Sequence, residues 1–133
     1  MSTGELEHVR AIALAMPEVS ERISHGALCF FIGDKTPLCY YHDNHRGDGR
    51  VSIWCPAYPD FREELVRNQS ERFFEPQTSS AGTFSTWLGV YLDLPARHPP
   101  DWKLIATILE DAYRKVAPKM LVAELEQSRR AKC

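Results

Sequence analysis

Apolar residues in this chain change period as it runs, from every second position to every third or fourth, and that switch limits the fold more than any other feature. Val51, Ile53 and Cys55 alternate with Ser52 and Trp54, and Leu88, Val90 and Leu92 alternate with Trp87, Gly89 and Tyr91. Such alternation makes a strand with one face turned to a core. Between Asp101 and Val116, by contrast, Trp102, Ile105, Leu109, Ala112 and Val116 recur at helical spacing. Near the start, Leu6, Val9, Ala13 and Met16 do the same, and Ile12 widens their stripe. One-sided helices and one-sided strands satisfy each other by packing helices on one face of a sheet.

Turn formers divide the chain between these stretches. A helix is expected over Thr3–Met16, with Ser2 and Glu5 in capping-box spacing and Pro17 as its stop. The polar stretch 18–26, which contains Ser24-His25-Gly26, reads as a turn leading into Ala27–Ile32. Strands over Ala27–Ile32, Leu38–His42 and Arg50–Cys55, joined by short polar turns, predict an antiparallel meander. A second helix begins at Tyr58-Pro59-Asp60, with Asp60 and Glu63 in capping-box spacing, and ends near Gln69. Phe73-Phe74 reads as a short extended piece, Gln77–Ser85 as a loop and Thr86–Leu92 as a strand. The Asp101–Val116 helix is closed by Pro118, and a last helix follows over Lys119–Gln127. With no repeat or linker, residues 1–133 are expected to form one α+β domain, an antiparallel sheet of four to six strands with helices on one face.

The composition narrows the class of protein. Of the 133 residues, 44% are hydrophobic and 26% charged, which excludes a disordered chain. Apolar runs are too short for a membrane span and no secretory signal is visible, so a cytoplasmic protein is expected. The four cysteines, Cys29, Cys39, Cys55 and Cys133, form no CxxC pair. The first three lie in apolar, strand-like surroundings and read as reduced buried thiols, and Cys133 as an exposed one. The formal charge is -2, mildly against a nucleic-acid binder, yet from Tyr113 to Cys133 six basic residues face two acidic ones.

Motifs for nucleotide, hydrolase, metalloprotease or kinase chemistry are missing: there is no GxGxxG, Walker loop, GxSxG or HExxH. His42-Asp43-Asn44-His45 reads as an exposed polar loop rather than a metal site, since one loop does not converge ligands from several directions. No cofactor is expected. His25 has a pKa suited to a general base, but its sequence neighbours offer no partner, and a turn hydrogen bond is the plainer role. Trp54, Trp87 and Tyr91, with Tyr40 and Tyr41, have two readings. On the face without helices they form a platform for a flat ligand or bases, and on the other face they fill the core.

Several blocks resemble the MmcQ/YjbR-like bacterial proteins. They are Ala13-Leu14-Ala15-Met16-Pro17-Glu18-Val19, Ser24-His25-Gly26 and Phe30, then Phe73-Phe74-Glu75-Pro76, Gly82 and Trp87-Leu88-Gly89-Val90-Tyr91-Leu92. Asp111-Ala112-Tyr113-Arg114 and Val116-Ala117-Pro118-Lys119 complete the set, which spans residues 6 to 125. Thr86 stands where that family has a glycine before the tryptophan. The resemblance implies a CyaY-like, double-wing α+β sandwich and a DNA-binding role inferred for the family from shape. Iron binding of the frataxin kind is not expected, because the first helix is not acidic enough.

The leading expectation is a non-enzymatic binding protein that contacts DNA. The basic residues that loops and helix ends can project are Arg46, Arg50, Arg114, Lys115 and Lys119. Two alternatives stand beside it. One is a small-molecule binder or enzyme built on His25, Trp54, Trp87 and Tyr91, and the other is a protein-interaction module on the aromatic sheet face.

Overall fold

The structure is a computed structural model that describes residues 3–24, 26–44, 47, 49–76 and 86–131. Ser2, His25, His45, Arg46 and Cys133, named above, lie outside the described residues, as does the segment 77–85. The elements run α1 (Thr3–Ala13), β1 (Val19–Ser24), β2 (Ala27–Ile32), β3 (Thr36–Asp43), β4 (Val51–Pro56), α2 (Pro59–Asn68), β5 (Phe73–Phe74), β6 (Trp87–Tyr91), α3 (Trp102–Val116) and α4 (Lys119–Ala131). The strands form one six-stranded sheet in the order β1-β2-β3-β4-β6-β5, every pair antiparallel. This is the expected α+β architecture.

All four helices contribute to one apolar core on one side of the sheet. Val9 and Ala13 of α1, Leu65 of α2, Ile105, Ile108, Leu109 and Ala112 of α3, and Leu125 of α4 are buried there. They meet Phe30, Ile32, Tyr41, Ile53, Cys55, Leu88 and Val90, the alternate residues of the strands. The register slips between Phe30 and Phe31, so Leu38 is an extra residue in β3, and both Leu38 and Cys39 reach this core. Tyr113, fully buried, donates its hydroxyl to the Pro17 carbonyl at 2.7 Å, which ties α3 to the turn after α1.

Four expectations change in detail. The first helix ends at Ala13 rather than Met16, because residues 14–18 already turn toward the sheet and Glu18 takes a left-handed φ of 60°. The second helix is capped at Tyr58 with no side-chain bond, so Asp60 lies inside the first turn, where a carboxylate favours the helix dipole. The final helix extends to Ala131. The stretch read as a polar turn contains β1, an edge strand in which Arg22 is exposed and Glu21 turns to the other face, where it accepts from Arg10 of α1 at 2.9 Å. In α3 the Asp101 carboxylate caps the first turn, accepting from the Leu104 amide at 3.1 Å.

Candidate functional site on the helix-free face of the sheet

The strand residues that do not enter the helix-side core form a second cluster. Cys29, Phe31, Tyr40, Trp54 and Trp87 are buried together, with Ala27 and Phe74 packed against them, and none comes from a helix. The pairing register aligns this face in a single row. Arg22 lies opposite Cys29, Cys29 opposite Tyr40, Tyr40 opposite Trp54 and Trp54 opposite Gly89, which Phe74 faces from β5. Each of the six strands supplies one member. Gly89 is required here by close approach: a Cβ would run into the Phe74 ring.

Polar groups thread this aromatic row. The only buried polar or charged residues among those described are His42 and Ser52, which pair across β3 and β4. The His42 ring lies 4.3 Å from Trp54, and the Tyr40 ring 6.0 Å from both His42 and Trp87. The Tyr40 hydroxyl meets Ser24 Oγ at 3.4 Å. Burial pushes the Cys29 thiol up to about 11, against the opposing pull of a hydrogen bond with Tyr40, so it stays protonated at neutral pH. Burial raises Tyr40 as well, and the Ser24 bond acts in the other direction. Neither group is a nucleophile at neutral pH; both are hydrogen-bonding groups. On the helix side, burial raises Cys55 to about 12 and Cys39 well above its usual range. Cys29, Cys39 and Cys55 are free thiols.

Two arginines close the ends of the face. The Arg22 guanidinium lies over the Phe31 ring at 3.9 Å. Its ion pair with Asp34, at 3.9 Å, is loose, with half of the Arg22 side chain exposed. Arg50 lies over Tyr91 at 3.7 Å and is held by Asp93 through Nε at 3.0 Å and Nη2 at 3.0 Å. The second Asp93 oxygen also accepts the Val51 amide at 3.0 Å, so that carboxylate is already engaged in closing β4.

The residues anticipated for DNA do not converge. Arg50 sits at the sheet, paired with Asp93. Arg114 belongs to the opposite layer, where it bonds Asp111 at 3.0 Å and Glu126 at 3.0 Å and ties α4 to α3. Lys115 Nζ lies 5.7 Å from the Tyr58 ring, and Lys119 is exposed at the first position of α4. Trp54 and Trp87, from the ligand-binding alternative, do meet, and Tyr91 joins them at the margin through its stack on Phe74 at 4.4 Å. Sequence reasoning missed Arg22, Ser24, Cys29 and His42 as members of this face. The parity of β3, which places Tyr40 and His42 on one side, carried the signal for the last. His42 is therefore a buried strand residue and not part of an exposed loop. Among the described residues no group of three or more His, Cys, Asp or Glu is placed to hold a metal ion.

One recess lies away from this face, between β5, β6 and α3. It is lined by Arg72, Phe73, Tyr91, Leu94, Pro100 and Leu104 and has room of about 10 Å³, the size of one water. It is too small for a ligand. No helix is long and apolar enough to cross a membrane.

No protein-family model matches the sequence, and no curated protein does. Among solved structures the chain is similar to protein DR2400 of Deinococcus radiodurans, a DUF419 domain. The TM-score is 0.65 at 15% identity, over 92% of this chain and 86% of that one. At that identity the likeness is one of fold, and what the two chains share is an α+β architecture.

Proposed function

We propose that this protein is a non-enzymatic binding protein whose site is the helix-free face of the sheet, and that its ligand is a small molecule with a flat ring. The observation that carries this reading is the gathering of Tyr40, His42, Trp54 and Trp87, with buried Ser52, on a face to which, among the described residues, no helix adds a hydrophobic side chain. A purely structural layer is cheaper when built from aliphatic groups, because a buried polar group needs a partner to offset its desolvation. Aromatic faces interleaved with hydrogen-bonding groups suit the stacking and orientation of a planar ligand. The absence of an activated nucleophile among the described groups of this face supports binding over catalysis.

The tryptophans provide the test. Trp54 and Trp87 lie on this face, whereas Trp102 stacks on His8 at 4.3 Å on the helix side. With millimolar 2-naphthamide or 2-naphthoate, the indole N–H signals of Trp54 and Trp87 shift in a two-dimensional NMR spectrum while that of Trp102 stays. If neither probe moves the first two signals, the reading fails.

Duplex DNA is the second reading, carried by Lys115 and Lys119 on either side of Pro118, which pair with no carboxylate among the described residues. The ordered blocks that resemble the MmcQ/YjbR-like proteins support it. The pairing of Arg50 and Arg114 with carboxylates weighs against it. Fluorescence anisotropy of a duplex at about 50 mM salt decides: binding lost in Lys115→Ala/Lys119→Ala supports this reading, and its absence at high micromolar protein ends it. The free thiols support a reducing compartment, the cytoplasm.

A further inference from the structure

We infer that the ligand of this face is an anion whose acidic group, a carboxylate, sulfonate or phosphate, is received at the β1 end by Arg22. This rests on the ring-binding reading and adds its electrostatic polarity. The face is asymmetric in two respects. At β3, β4 and β6 it is closed, with Tyr40, Trp54 and Trp87 exposing only 6–8% of their surface. At β1 it opens: Arg22 is exposed, and Ser24 and Ala27 are half-buried. A planar molecule therefore meets the aromatic row from the β1 side, across the small side chain of Ala27.

Charge follows the same direction. The strand positions of this face carry one formal charge, that of Arg22, and no carboxylate. Of the two guanidinium groups that lie over rings of this face, Arg50 is neutralised by its two-toothed contact with Asp93. Arg22 differs: its Asp34 contact is long, at 3.9 Å, and Asp34 is already engaged by the Ser20 hydroxyl at 2.7 Å. A guanidinium resting on Phe31, on a half-exposed side chain, is oriented but not consumed. The Ser24 and Tyr40 hydroxyls, 3.4 Å apart, lie on the same face, and burial raises the Tyr40 phenol above its ordinary value. One charged fork and two hydroxyls at the open end of an aromatic row suit an acidic group attached to a flat ring.

Isothermal titration of 2-naphthoate against the isosteric, uncharged 2-naphthamide tests this. The acid is expected to bind about tenfold or more tightly than the amide, the scale of one charge-assisted hydrogen bond. Arg22→Gln abolishes that preference, Arg22→Lys restores part of it, and Arg67→Gln, on the exposed side of α2, leaves it unchanged. Because Arg22 is exposed on an edge strand, its replacement leaves the fold intact, which the thermal midpoint verifies. Equal affinities for the two probes, with the indole signals of Trp54 and Trp87 shifting, overturn the anion and leave the ring-binding reading in place. A preference that survives Arg22→Gln also overturns the assignment. If neither probe binds, both readings fall together.

Discussion

On the helix side of the sheet, Leu109, Ile108, Leu125 and Val9 are fully buried aliphatic residues drawn from three helices. On the opposite side, the same strands bury Trp54, Trp87, Tyr40 and His42; among the described residues no helix contributes a hydrophobic side chain to their cluster, and α2 meets it through Arg62, 3.5 Å from the Trp87 carbonyl. The first layer is continuous hydrocarbon, whose burial stabilises by about 1.5–3 kcal/mol per large side chain. The second mixes rings with hydroxyl, thiol and imidazole groups, each of which must recover the hydration it loses. A protein that needed only to fold would repeat the first solution. In the function proposed above, the helix side holds the fold and the other layer is the one that binds a ligand.

Truncation in the helix-side core is the largest expected effect. Leu109→Ala should lower unfolding stability by roughly 2–5 kcal/mol in urea titrations, with probe binding per folded molecule unchanged. A loss below about 1 kcal/mol would break the comparison, because the aliphatic layer would then not be the main core. Next in size is Gly89→Ala. The added methyl group must displace the Phe74 ring, which is also held in a stack on Tyr91, at a cost of about 1–3 kcal/mol. A neutral outcome by the same measurement would mean that the aromatic row is loosely packed.

A smaller effect is expected on acidification. The Glu126 carboxyl is held below its ordinary value, first by the Arg114 hydrogen bond and then by the charges of Arg114, Arg130 and Arg129, with desolvation opposing. A carboxyl whose folded pKa is depressed contributes stability above its unfolded pKa, and this is lost as pH falls through the folded value. Thermal midpoints should therefore fall below about pH 4.5, and less steeply in Glu126→Gln. Identical acid limbs in the two proteins would remove the α3–α4 ion pairs from the stability of the helix layer. The smallest effect is chemical. With Cys29 raised to about 11 and Cys55 to about 12, iodoacetamide at neutral pH should label Cys29, Cys39 and Cys55 slowly in the native protein and quickly in denaturant, as read by mass spectrometry. Rapid native labelling of Cys29 would mean that the helix-free face opens far enough to admit reagent.

The order of the elements other than β1, the antiparallel sheet and the placing of the helices on one side were legible in the sequence, because they follow from the local period of apolar residues. Trp102, Ile105, Leu109 and Ala112 can bury one helical stripe in only one direction, and Leu88 and Val90 must share a face whatever they pack against. The strand β1 escaped that logic. At a sheet edge, Ser20, Glu21 and Arg22 are free to be polar, so no apolar run announces the strand. Which way the second face turns, and what it collects, was decided by tertiary structure alone. Register set Arg22, Cys29, Tyr40, Trp54, Gly89 and Phe74 in line across six strands, although 67 positions separate the first from Gly89 in the chain. The pairing of charge was decided the same way. Arg50 and Arg114 look alike as solvent-facing cations in the sequence, yet Asp93 and Glu126 arrive from other elements to neutralise them. Arg22 keeps the looser contact, because ion pairing depends on distances that only the folded chain defines.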